Sequence, residues 1–131
     1  MFLQVMNEEE KENFLELVYK IANVDGDYAE EEKELIDSYK KELNLNTIPE
    51  TSTIDELVKY FSEKTIGLKK IVLFETIGMI NADNIVAKEE TEVFDKMVAS
   101  FEFDAESVKE LKALAEKLQS VYDEIYEVLF D

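Results

Sequence analysis

The chain has 131 residues, with 14 basic and 32 acidic side chains and a formal net charge of −18. Every basic residue is a lysine, and Cys, His, Trp and Arg do not occur. Disulfides, thiolate metal sites, a thiol nucleophile, an imidazole base and a guanidinium clamp are therefore all excluded.

The length suits one domain spanning residues 1–131, and 46% hydrophobic residues are enough for a core, so the charge does not imply disorder. A surface this acidic repels nucleic acid, which is bound by neutralising phosphates, and is poorly attracted to anionic membrane. Its natural electrostatic partners are divalent cations and proteins with a basic surface. Met1–Met6 is mildly apolar but short and lacks a basic flank, so it does not read as a signal peptide. The densest apolar run, Ile71–Ile80, is far below the ~20 residues of a membrane span, so no membrane insertion and a cytoplasmic location are expected. Heavy use of Lys, Ile, Asn and Glu suggests an AT-rich bacterial genome.

Three glycines and one proline leave few breaks, and nearly every segment reads helical. Asn7 with Glu10 forms a capping box, and Phe14, Leu17, Val18, Ile21 and Ala22 follow on one helical face until Asp25-Gly26. A second helix starts near Glu30 and carries Leu35, Ile36, Tyr39 and Leu43. Residues 44–52, with Pro49, form the main loop, and Thr53 with Glu56 caps a short third helix to about Glu63. A fourth helix from about Ile66 to Asn81 is apolar almost all round, which predicts the most buried element. Glu75 interrupts it; it is expected at a groove edge, and if buried it must pair with Lys, Tyr or a metal, or be neutral with a raised pKa.

A fifth helix runs from about Lys88 to Phe101, and Asp104 caps a last one from about Ala105 to Phe130. In that last helix Val108, Leu111, Ala115, Leu118, Tyr122, Ile125 and Leu129 alternate by three and four. The stripe is expected to pack across the domain as a core seam, in preference to forming a coiled-coil dimer. The predicted fold class is all-α, a compact bundle of about six or seven helices.

Residues 25–46 repeat at 83–104, a constant offset of 58. Asp25 falls on Asp83, Gly26 on Asn84, Glu31 on Glu89, Glu32 on Glu90, and Leu35-Ile36 on Val93-Phe94. The predicted organisation is two helical hairpins, about 8–46 and 66–104, related by a pseudo-twofold axis, with a long C-terminal helix at about 105–130. Ala29 and Ala87 fall at the N-cap positions and are poor caps, so Glu32 and Glu90 reach back to the cap N–H groups.

Two readings of the repeated turn stay open. It is a turn device, or its carboxylates meet: Asp25, Glu32, Asp83 and Glu90, with Asp27, Glu31 and Glu89 in support. An all-oxygen cluster suits Ca²⁺, Mg²⁺ or Mn²⁺. An EF-hand is excluded, because counting from Asp25 places Ile36 where the terminal bidentate Glu belongs.

The segment Ile21-Ala22-Asn23-Val24-Asp25-Gly26-Asp27-Tyr28-Ala29-Glu30-Glu31-Glu32, echoed at Ile80-Asn81-Ala82-Asp83-Asn84-Ile85-Val86-Ala87-Lys88-Glu89-Glu90, resembles the TerB-like family. That family comprises the tellurite-resistance protein TerB and the related N-terminal region of a DnaJ-type co-chaperone. The resemblance implies paired helical hairpins, an acidic cluster suspected of binding divalent metal, and an adaptor or stress-response role without established catalysis. It carries over to Asp25, Glu32, Asp83 and Glu90. This chain departs from the pattern at Asn84, where Gly is expected, and at both alanine caps.

The expected function is a non-enzymatic acidic binding module. The rival class is an acidic mimic of nucleic acid that binds a DNA-binding protein, which needs carboxylates spread along a face where the cation reading needs them converging. A metal-dependent hydrolase is a third reading. Against catalysis stand the scattered glycines, at 26, 67 and 78, and the lack of His for a nucleophile–base pair.

Overall fold

The computed structural model describes residues 2–26, 28–82 and 87–130. Their architecture is all-helical: a 3-10 turn at Leu3–Val5, then α1 (Glu8–Ala22), α2 (Glu30–Leu43), α3 (Ile54–Ser62), α4 (Ile66–Ile80), α5 (Lys88–Ser100) and α6 (Ala105–Phe130). No strand occurs among the described residues.

The starts are set by caps. Asn7 and Thr53 each accept the N–H three residues on, and Glu10 and Glu56 bond back to the cap N–H, satisfying two of the orphan donors at each helix start. Thr65 and Asp104 accept from Leu68 and Ser107 in the same way. The ends of α2 and α5 share one solution. Asn44 (φ 58°) and Glu102 (φ 60°) are both left-handed, and Leu45 and Phe103 donate back to Lys40 and Val98 at 2.9 and 3.2 Å. These residues are 58 apart, as are the starts of α1 and α4, of α2 and α5, and the ends of α1 and α4. Several element boundaries therefore share the 58-residue offset seen in the sequence.

α4 touches all five other α-helices and supplies Val72, Leu73, Ile77 and Met79 to the core. Across from it lie Phe14, Leu17 and Ile21 of α1, Ile36 and Tyr39 of α2, Phe61 of α3 and Met97 of α5. The N-terminal segment belongs to this core, with Leu3 fully buried and Met6 nearly so. None of the described helices is long and apolar enough to cross a membrane.

The last helix departs from expectation. It is one unbroken helix, but only Val108 is buried, while Leu111 and Ala115 are partly covered against the core and Leu118 is half-buried at the groove beside α4. Beyond them Tyr122, Ile125 and Leu129 are 42%, 45% and 66% exposed. The stripe is a core seam for its first half and an uncovered face for its second. At 1.5 Å per residue, the twelve residues after Leu118 run on for roughly 18 Å.

Candidate functional site: a pair of buried carboxyls

The repeated turns end where α2 and α5 begin. Ala29 and Ala87 are extended cap residues with no side-chain acceptor to offer. Each cap N–H is taken instead by the glutamate three residues on: Ala29 donates to Glu32 Oε1 at 3.2 Å and Ala87 to Glu90 Oε1 at 3.4 Å. This back-bond is the one expected from the sequence. It draws each carboxyl inward over the first turn of its helix, and Glu32 and Glu90 end 2% and 3% exposed.

The two carboxyls, from equivalent positions of the repeat, then meet. They lie within hydrogen-bonding reach of one another. Two carboxylate oxygens cannot hydrogen-bond unless one carries a proton, and two buried negative charges at that separation repel strongly. The Glu90 carboxyl is accordingly pushed up to about 8, first by burial, then by the hydrogen bond and charge of Glu32; the Ala87 N–H pulls it back, and the Asp25 charge adds the smallest push. The repulsion favours a proton shared by the pair.

Beside it, Tyr28 packs edge-on against Tyr19 at 5.6 Å and under the Lys33 ammonium. Its hydroxyl is pushed up to about 12 by burial and by Tyr19, Asp37 and Glu32, so it stays protonated.

The other expected site residues divide. Asp25 is exposed at the lip of the first turn, with its charge felt at Glu90. Glu31 and Glu89 point to solvent. Asp83 and Asp27 lie outside the described residues. Among the described residues no group of three or more acidic side chains gathers closely enough to hold a metal by itself. The donors present are carboxylate oxygens, the ligand type of hard cations such as Mg²⁺ and Ca²⁺. It does not fit zinc or copper, which favour nitrogen or sulfur.

Two further acidic residues were placed by contacts that local spacing does not reveal. Glu75 is half-buried and accepts the Tyr39 hydroxyl at 3.1 Å, so its partner is Tyr. Burial, with the Glu75 charge and hydrogen bond, holds the Tyr39 hydroxyl well above the usual phenol range. Glu16 is fully buried in α1, where it accepts the backbone N–H groups of Thr51 and Ser52 at 2.8 and 2.9 Å and sits 3.7 Å from Lys20. Its face of α1 reads as solvent-facing in the sequence; the loop before α3 folds over it.

Comparison with protein-family models found no matching family, and comparison with curated proteins and with solved structures found no match.

Proposed function

We propose that the chain is a non-enzymatic, TerB-like acidic binding module whose Glu32–Glu90 pair exchanges its shared proton for a divalent cation. The observation that supports this most is the meeting of two buried carboxyls from equivalent repeat positions. A cation neutralises both charges where a proton neutralises one, and the two inward oxygens are already converged, so little ordering is needed on binding. The ion ties the start of α2 to the start of α5 and sets the spacing of the two acidic turns, Glu30-Glu31 and Glu89 with Asp25 at the lip. That surface is the proposed landing place for a protein partner with a basic surface. The role proposed with it is cytoplasmic stress handling of the tellurite-resistance type.

Calorimetric titration with Mg²⁺, Ca²⁺ and Mn²⁺ at physiological salt tests the reading on the wild type and on Glu32→Gln/Glu90→Gln. The expected result is saturable micromolar binding that strengthens from pH 6 to pH 8, releases about one proton per ion, and is lost in the double variant. Weak heats that do not saturate, equal in both proteins, would make the pair a protonated latch between two helices and nothing more.

A further inference from the structure

The second half of α6 is apolar and uncovered: Val121, Tyr122, Ile125, Tyr126, Val128 and Leu129 are 42–84% exposed. Beside its first half, α4 and α6 enclose an open apolar groove of about 460 Å³ lined by Phe2, Ile71, Phe74, Leu111, Leu114 and Leu118, with Lys70 at the rim. An apolar face and an apolar groove on one rod are a complementary pair that a single chain cannot bring together. The helix is unbroken from Ala105 to Phe130, so its free half cannot fold back into its own groove.

We infer that the occupant is a second copy of this chain, with two α6 helices antiparallel about a twofold axis near Ser120. The stripe Leu111, Ala115, Leu118, Tyr122, Ile125, Leu129 has spacings 4, 3, 4, 3, 4 and reads the same in both directions. Reversed about residue 120, Leu111 meets Leu129, Ala115 meets Ile125 and Leu118 meets Tyr122, which is the layer order of an antiparallel pair. Leu114, Val121 and Val128 form a third apolar row, in which Val121 stands one residue from the axis and so close to its own copy. Each free half thereby enters the other copy's groove, as an isologous interface requires.

Charge selects this orientation. The lysines of α6, Lys109, Lys112 and Lys117, all lie in its first half, and the only charged groups from 118 to 130 are Asp123, Glu124 and Glu127. Antiparallel pairing lays those three acids against the lysines and against Lys70 at the groove rim. Parallel pairing stacks acid on acid in a chain already at −18. Tyr126 falls opposite Leu114, within one helical turn of Lys112, whose ammonium lies 5.1 Å over the Phe94 ring.

Sedimentation equilibrium of the full chain from about 1 to 200 µM decides it, this range spanning the weak end of specific association. The expected mass is twice the 15.2 kDa of the chain, falling to 15.2 kDa in Val121→Lys/Ile125→Lys with an unchanged circular-dichroism spectrum. Both substituted residues are exposed in the single chain, so the variant keeps its fold. A wild type that stays at 15.2 kDa throughout, or a dimer indifferent to the two lysines, overturns the inference. Orientation is read in the same chain, which has no thiol of its own. With a short bifunctional thiol reagent, Val121→Cys joins to its copy and Val128→Cys does not, since the antiparallel arrangement separates the two 128 positions by roughly 24 Å. Equal joining at both positions overturns the antiparallel arrangement.

Discussion

Glu16 and Glu90 are both carboxyls removed from water, 0% and 3% exposed, yet their surroundings are opposite in kind. Glu16 is met by donors: two backbone N–H groups, the Thr51 hydroxyl at 3.3 Å and the Lys20 ammonium. Glu90 is met by one backbone N–H and another carboxyl. A buried charge is tolerated when its lone pairs are satisfied, and the first site does that and is complete. The second sets two carboxyls against each other. A carboxyl surrounded by donors ties a loop down; a carboxyl facing its own kind waits for a proton or an ion. The difference is also one of reach, since Glu16 holds one loop to α1 while the pair stands between the start of α2 and the start of α5.

The largest expected effect comes from breaking the complete site. Glu16→Ala leaves the Thr51 and Ser52 N–H groups without their acceptor and opens a gap under the loop. Unfolding stability should fall by about 3 kcal/mol, read by urea denaturation. Glu16→Gln keeps one acceptor oxygen and should lose about half as much. A loss below about 0.5 kcal/mol for the alanine variant would mean that the loop is held by Leu45 and Ile48, which pack on the core, and that Glu16 adds nothing.

The incomplete site should respond in the opposite sense. The Glu90 carboxyl beside Glu32 is pushed up to about 8, above an ordinary glutamate, so the folded state holds more protons than the unfolded one between those two values. Stability from this group is then fully present below about pH 4.5 and is lost as pH rises through about 8. At pH 8.5 Glu90→Gln, which keeps the shape and an acceptor for the Ala87 N–H, should stabilise the chain by about 1–2 kcal/mol after allowance for solvent screening. At pH 5, where the wild-type pair is already protonated, the two proteins should unfold together. Parallel pH profiles for wild type and variant would separate Glu90 from any shared titration and leave only the general repulsion of an acidic chain.

Much of this was legible in the sequence, for local reasons. Caps, turn residues and a constant offset act over a few residues, and they put the helix boundaries within about three positions of where they fall. The closeness of Glu32 and Glu90 was one of two readings that the repeated turn left open, and the back-bonds to Ala29 and Ala87 belong to the other. Glu16 was not legible: its partners are 35 and 36 residues away, and helical periodicity places it on an outer face until a loop covers that face. The free half of α6 failed for another reason. A stripe of three-and-four spacing says that something covers it and not which chain supplies the cover, and nothing in the spacing at Tyr122 or Ile125 differs from that at Leu111.

The finest test of the contrast uses Asp25, which stands outside the pair but within reach of its field. It is exposed, and its charge is the smallest of the influences raising Glu90. Asp25→Asn should therefore change stability by no more than about 0.5 kcal/mol and move the Glu90 titration slightly downward, seen by carboxyl-carbon NMR. Cation affinity is the more telling readout. Where Asp25 only lends its field, the loss on substitution is small and fades with added salt, because exposed charges are screened over about 8–10 Å at physiological ionic strength. Where it ligates the ion, directly or through a bound water, the loss is about tenfold and survives the salt, because a ligand's contribution is one of contact. The second outcome extends the site from two carboxyls to three and carries it from the buried pair to the surface at which a basic partner arrives. The first confines the site to Glu32 and Glu90 and leaves Asp25 to the turn, as the donors around Glu16 belong to theirs.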